Sequence, residues 1–470
     1  MSSMQKPLVH EKTPLKVVMV AIVAALGGFL FGFDSAVING AVDAVQQQFG
    51  LGSVLLGFTV SCALLGAMIG AWLSGPLADR QGRVRAMLVA SVLFTLSAVG
   101  SGLAFGVTDL IIWRFIGGIG VGMASVLAPA YIAEVSPAHS RGRLGSLQQL
   151  AIVLGIFVAL LTDAFLAAVA GGAGEPMWFG LEAWRWMFLA ETVPAVLYGL
   201  LALQVPESPR YLVAKDELVG AAKVLRDVVG LNGKQAVQDK IQAIRETIHS
   251  EERQGLKDLM GGKGWLLPIV WIGIFLSVFQ QFVGINVIFY YSTSLWRSVG
   301  FNESDSFSIT VITSVTNIVV TVVAIMLVDK VGRKPLLVAG SIGMLLSLGV
   351  MALCFSQAIG TGEDVTLPQP WGVVALIAAN LFVVSFGATW GPVVWVLLGE
   401  MFPNRIRAVA LSVAAAAQWL ANFAITTTFP FLADIDLTLA YGLYAFFALL
   451  SLVFVWKFVP ETKGKELEAM

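Results

Sequence analysis

GPLADRQGRVR at residues 75–85 and LVDKVGRKP at residues 327–335 decide how this chain is built. Each is a short charged stretch between two long apolar runs, and Asp79 and Asp329 stand 250 positions apart. Further echoes keep the same order. YIAEVSPAHSRGR at 131–143 is matched by LGEMFPNRIRA at 398–408, and in each a Glu precedes an Arg by seven residues: Glu134 to Arg141, Glu400 to Arg407. Near the start of each half, Gly32-Phe33-Asp34 is echoed by Gly284-Ile285-Asn286, 252 positions on. One match is chance; three in order argue for two duplicated halves.

Composition says what those halves are made of. The chain is 57% hydrophobic and 13% charged, with a mean hydropathy of +0.83, whereas soluble domains carry about 25% charged residues. Apolar runs of about 20 residues, long enough to cross a bilayer, recur throughout. Twelve are expected, near 17–42, 54–77, 86–106, 109–131, 145–169, 184–204, 266–290, 306–328, 335–355, 371–398, 408–430 and 438–458. Interior glycines in Leu-, Val- and Phe-rich runs fit membrane helices, and the alternation of a membrane barrel is missing. The expectation is an all-α polytopic membrane protein without a cleavable signal peptide. Counting loops alternately from the N-terminus, 26 of the 29 Lys and Arg residues fall on one side. That asymmetry predicts both termini in the cytoplasm. Cys62 and Cys354 lie inside spans and the three histidines in polar segments, so neither a disulfide nor a metal site is expected.

The spans divide six and six around a polar stretch. This gives an N-terminal bundle over 1–204, a linker over 205–264 with short amphipathic helices, and a C-terminal bundle with a short tail over 265–470. Duplicated six-helix halves are an architecture of alternating-access transporters. In such a frame, acidic and basic residues at the inner mouths of the spans can pair across the two halves and hold that side shut. The plainer alternative is that the basic residues only set topology, which leaves the repeated Asp and Glu without a role.

At these residues the chain resembles the sugar porter family of the major facilitator superfamily, over nearly its full length. The motifs are DRQGR (79–83), RFIGGIGVG (114–122), PAYIAEVSPAHSRG (129–142), PESPR (206–210), QQFVGIN (280–286), DKVGRKP (329–335) and PETKG (460–464). FQQFVGINVIFYYS, GEMFPNRIRA and AQWLAN are similar to the bacterial proton-linked glucose and xylose permeases, nearest the actinobacterial type of glucose permease. The sequence departs from the family at 82–85, where GRVR replaces the usual GRR. The resemblance implies the major facilitator fold, with a gate of Asp79, Arg83, Glu134, Arg141 and Glu207 in the first half. Asp329, Arg333, Glu400, Arg407 and Glu461 are its counterparts in the second.

A sugar is a ring of hydroxyls that both donate and accept, so its site needs amides and an aromatic surface for the ring's C–H face. The spans supply Gln149, Gln280, Gln281, Asn286, Asn317, Gln418 and Asn422, with Trp395 and Trp419. Amides in membrane helices also serve as glue between helices. The adjacent Gln280 and Gln281 diverge by about 100° on a helix, which favours a wide polar cavity, and Gly284 permits local unwinding there. In the sugar porters the residues matching these positions contact the sugar, and the resemblance adds Phe31, Tyr290, Phe386 and Gly391.

Asp34 lies about 27 Å along span 1 from Lys16, and Arg114 about 30 Å along span 4 from Glu134, so the two share a depth. They are read as the one acidic and one basic residue deep in the first-half spans, with Asp163 nearer an outer end. A lone charge at that depth costs at least about 2.5 kcal/mol, and a purely structural bridge would relieve it. The other reading is a proton site, since a carboxylate that loses its arginine in a dry place takes up a proton. In proton-linked relatives the matching residues hold that role, whereas animal facilitators carry Asn at the position of Asp34. The function expected is proton-coupled import of a monosaccharide, D-glucose first, by alternating access. A facilitative uniporter, or a symporter for xylose, galactose or myo-inositol, stands as the alternative. The transporter is expected to be monomeric, to sit in the inner or plasma membrane, and to use the proton gradient and no cofactor. The absence of HExxH, Walker or nucleotide-binding motifs argues against an enzyme.

Overall fold

The computed structural model describes residues 14–137, 141–231, 233–251, 256–261, 265–359, 366–403 and 406–462. The first five spans are α1 (Leu15–Phe49), α2 (Ser53–Gln81), α3 (Arg83–Gly102), α4 (Val107–Val135) and α5 (Arg141–Ala170). The sixth is broken into α6 (Ala183–Ala190) and α7 (Thr192–Ala202). Pro194 lacks the N–H that would bond the carbonyl of Ala190, and its ring crowds that carbonyl. Three short helices follow in the linker: α8 (Pro209–Ala214), α9 (Leu218–Asp227) and α10 (Lys234–Glu251).

The seventh span comes in three pieces, α11 (Pro268–Phe282), α12 (Ile285–Tyr290) and α13 (Ser292–Ser298). The first break is the unwinding expected at Gly284, whose φ of 81° suits glycine. Then come α14 (Glu303–Val331), α15 (Arg333–Phe355), α16 (Trp371–Ser385), α17 (Gly391–Met401), α18 (Arg407–Ile435) and α19 (Leu437–Phe458). A π-helical turn, Phe386–Trp390, joins α16 to α17; such turns are frequent at functional sites. Eleven stretches among the described residues are long and apolar enough to cross a membrane, and the kinked α6–α7 pair is the twelfth span expected. Large apolar side chains such as Val92, Phe165, Ile312 and Leu346 are exposed, as suits helices solvated by lipid.

Small residues set the spacing inside the first half. Gly66 and Gly70 of α2 face Gly118 and Gly122 of α4, where a Cβ on Gly118 would stand 1.9 Å from the carbonyl oxygen of Ala63. Backbones that close are the product of small residues four apart. Across the halves, α2 packs on α18 and α5 on α14. Those two contacts exchange under a twofold that relates span n to span n+6, which is the pseudo-symmetry of the major facilitator fold. The α1 helix divides along its length. Phe33 to Val45 share one apolar core with the second half, while Val17 to Leu30 belong to a core of the first half and linker. The halves are therefore joined along the end of α1 far from the termini.

Candidate functional site

Asp34 of α1 and Arg114 of α4 meet inside the first half. Arg114 Nη1 donates to Asp34 Oδ1 at 3.4 Å and to the main-chain carbonyl of Asp34 at 3.0 Å. Each side chain is 2% exposed. The pair is incomplete, because Asp34 Oδ2 and Arg114 Nε have no hydrogen-bond partner. One long contact holds a carboxylate less firmly than a bidentate fork. A narrow cavity beside it is lined by Asp34, Ser35, Ala63, Arg114 and Tyr290.

Sequence reasoning missed the third member of this group. Glu191, at the joint of α6 and α7, is fully buried, with both carboxylate oxygens unpartnered, and lies close enough to act electrostatically on Asp34 and Arg114. Asp163 of α5 is also fully buried, so Asp34 is not the only deep carboxylate of the first half. The signal for Glu191 is the lone carboxylate of LAETVP at 189–194. Its direction is set by how the broken span packs, which spacing does not encode. Arg185, near the start of the sixth span, is buried as well. It is paired to Glu182 at 2.6 Å, lies over the Trp184 ring at 4.4 Å, and donates to the carbonyls of Gly102 and Ala104.

The amides gather in the second half. Gln280 Nε2 donates to the carbonyls of Trp390 and Gly391, at 2.9 and 3.2 Å, while its Oε1 is buried without a partner. Asn286 donates to Gln281 Oε1 at 2.6 Å. Asn422 Oδ1 accepts from Thr426, and Gln418 Oε1 is unpartnered. Asn317 faces the π-helical turn at Gly387, and the Phe386 ring lies against Gly391. Tyr290 links the two groups, since it lines the cavity with Asp34, Ser35 and Arg114 and lies near Asn422 of the amide cluster. Phe31 and Trp419 meet across the halves, ring centroids 5.8 Å apart. Trp395 is 42% exposed, outside the buried cluster. Gln149 is half-buried on α5. Its neighbour Gln148, not singled out from sequence, is buried against α1 near Gly28 with both amide atoms unpartnered.

The charged loops repeat each other atom for atom. Arg83 forks onto Glu134 through Nε and Nη2, both at 3.0 Å, and Arg333 onto Glu400 at 3.0 and 2.7 Å. Glu207 accepts from the main-chain N–H of Arg83 and Val84, and Glu461 from those of Arg333 and Lys334. Ser208 completes the first set and Thr462 the second. Asp79 pairs with Arg83 at 3.1 Å but is largely exposed. The expectation was of pairs across the halves; at Arg83 and Arg333 the pairs lie within a half. The reason is local. Gly82 and Gly332, at φ 99° and 107°, turn the chain so that each arginine points back at its own bundle. Arg407 does not pair with Glu400 but donates to the carbonyl of Phe402 at 3.0 Å. The side chains of Arg141 and Asp329 lie outside the described residues.

Among the described residues, polar contacts that cross the halves gather around the far end of α1, and the N–H of Ala173, just after α5, donates to Glu303 of α14 at 2.9 Å. Asn39 donates to the carbonyl of Phe289 at 2.8 Å and accepts from Thr293 Oγ1 at 2.5 Å. Asp43 accepts from Ser294 at 2.6 Å and pairs with Arg297 at 2.8 Å. Ser61 of α2 meets Thr427 of α18 at 2.6 Å.

Comparison with known proteins gives a consistent result. A family profile described as "Sugar (and other) transporter" matches residues 20–470. The chain is 59% identical to a "Glucose transport protein" of Synechocystis sp., covering 97% of each chain. It is 40% identical to a "D-xylose-proton symporter" of Escherichia coli, covering 96% of this chain and 94% of the relative. Among solved structures, the xylose transporter XylE of E. coli in a partially occluded inward open conformation has a TM-score of 0.82 at 38% identity, covering 96% of this chain and 100% of that one. XylE bound to 6-bromo-6-deoxy-D-glucose has a TM-score of 0.78 at 38% identity, covering 97% and 98%.

Proposed function

The chain belongs to the sugar transporter family of the major facilitator superfamily, and from that premise we propose that it imports a monosaccharide, D-glucose foremost, together with protons. It is a multi-pass membrane protein and not an enzyme. It works as a monomer of the cell membrane with both termini in the cytoplasm, driven by the proton gradient without a bound cofactor. The excess of Lys and Arg on the terminus-bearing side supports that orientation. The clasp of α1 on α12 and α13, at the other end, supports an inward-facing state for the arrangement described here. The relatives' printed substrates, glucose and xylose, support the sugar class.

The observation that carries the reading is Tyr290, shared between the Asp34–Arg114 cavity and the amide cluster. Through it the occupancy of one site is felt at the other. Sugar hydroxyls take the unused acceptors of Gln280 and Gln418. A proton on Asp34 neutralises the carboxylate; Arg114 stays docked through the Asp34 carbonyl, and Glu191 is at hand for its charge. Sugar and proton then favour the same inward transition, as coupling requires.

Reconstituted liposomes test this. Under an imposed proton gradient the protein is expected to accumulate labelled glucose, and Asp34→Asn to exchange it without accumulating it. If Asp34→Asn accumulates the sugar as the native protein does, the proton role of Asp34 fails. Competition by xylose, galactose and myo-inositol ranks the substrates, and a sugar that outcompetes glucose displaces it from the proposal.

A further inference from the structure

Asp163 has no part in the chemistry above, yet it is a carboxylate buried in the first half with no charged partner. It sits in α5, fully buried. Its Oδ2 accepts from the main-chain N–H of Gly40 at 3.3 Å, and its Oδ1 has no partner. The contact is close by construction: a Cβ on Gly40 would stand 2.7 Å from Asp163 Cβ and 2.8 Å from Oδ2. Gly40 lies inside α1, where its N–H is already a helical donor, so the carboxyl receives a shared and long hydrogen bond.

Among the described residues, the helices packed on α5 offer no free cation beside it in return. On α1, the charged residues are the carboxylates Asp34, six positions before Gly40, and Asp43, three after it and already paired with Arg297, and Lys16, 24 positions before Gly40 at the opposite end of the helix. The α14 helix, packed on α5 from the other half, has no ionisable residue from Ser306 to Leu327. On α4, Arg114 is held by Asp34, and Asp109 accepts from the N–H of Phe105. On α6, Arg185 is held by Glu182, and Glu191 at its end is a carboxylate. An ionised Asp163 would be a buried charge with one weak hydrogen bond, a state a protein avoids by keeping the group neutral.

We propose that Asp163 is a second protonation site, which binds a proton when the face away from the termini closes. Gly40 stands next to Asn39 and one turn from Asp43, the two residues that clasp α1 to α12 and α13. The neutral carboxyl lets α5 lie flush against that segment of α1. When the halves part on this face, water reaches the carboxyl and can carry its charge, and the proton leaves to that water. It is taken up and released on the same side, so it does not cross the membrane or alter the proton-to-sugar ratio. What it adds is pH dependence: low pH favours closing, and rising pH opposes it.

The consequence for transport rests on the symport reading above, but the protonation itself can be read without it. Asp163→Asn keeps the shape and the acceptor and removes the titration. Infrared difference spectra of the purified protein in liposomes are expected to contain a protonated-carboxyl band that is lost in Asp163→Asn. Sugar counterflow, which needs no gradient, is expected to slow as pH rises in the native protein and to slow less in Asp163→Asn, with the proton-to-sugar ratio unchanged. A band that survives Asp163→Asn, or superimposable pH profiles, overturns the proposal. Failure of the native protein to exchange any sugar would overturn the transport reading and leave the infrared result standing.

Discussion

Gln280 uses only its amide nitrogen inside the protein, with Nε2 on two carbonyls and Oε1 buried and unpartnered. A buried acceptor without a donor costs about 1–3 kcal/mol, so the site gains when a sugar hydroxyl supplies one. Gln280→Ala is therefore expected to weaken glucose binding about tenfold, as read by calorimetry or ligand quenching. Unchanged binding would remove Gln280 from the site. At this scale the sequence was a partial guide. The amides of QQFVGIN and AQWLAN were legible because uncharged polar groups in apolar spans stand out. Glu191 and Gln148 were not singled out, because what marks them is where they pack, near the Asp34–Arg114 pair and against Gly28. A side chain's direction is a property of the packed helix.

At the scale of the element, helix contacts explain why the pieces sit where they do. The α2 and α4 helices touch through Gly66, Gly70, Gly118 and Gly122, and a side chain at Gly118 would meet the main-chain carbonyl of Ala63. A carbonyl inside a helix cannot swing aside as a flexible side chain can, so the helices must separate. Gly118→Val is expected to destabilise the first half by about 1–3 kcal/mol or more, seen as a lower melting temperature in detergent. A melting temperature equal to the native one would show that the helices have room to spare. The breaks follow the same logic. Gly284 was read from sequence as a point of unwinding and is one, since a positive φ favours glycine. The split at Glu191 follows from Pro194, and the sixth span still crosses as α6 and α7 in tandem.

For the whole molecule, the question is which contacts hold the halves together. The charged loops looked like cross-half pairs because acids and bases recur there at matching spacings. Arg83 and Arg333 instead lock their own bundles, each forking onto a glutamate of the same half. The clasp is at the other end, in Asp43–Arg297 and Asn39–Thr293. If Asp43–Arg297 closes that face in each cycle, Asp43→Arg alone is expected to slow sugar counterflow several-fold, and Asp43→Arg with Arg297→Asp to recover much of it. A double variant no better than the single one would count against the clasp.

The sequence by itself determined the class of this protein. Length and hydropathy of the apolar runs, their duplication at 250 positions, and the family's motifs made it a two-halved membrane transporter, because crossing lipid constrains every residue of a span. It also brought Asp34 and Arg114 to one depth, since helical rise is constant. Tertiary structure alone decided that Glu191 joins them, that Asp163 lies against Gly40, and that the loop arginines face inward to their own halves. Those outcomes depend on helix rotation and on where one helix ends against another. Residues far apart in the chain set both, and no local spacing records them.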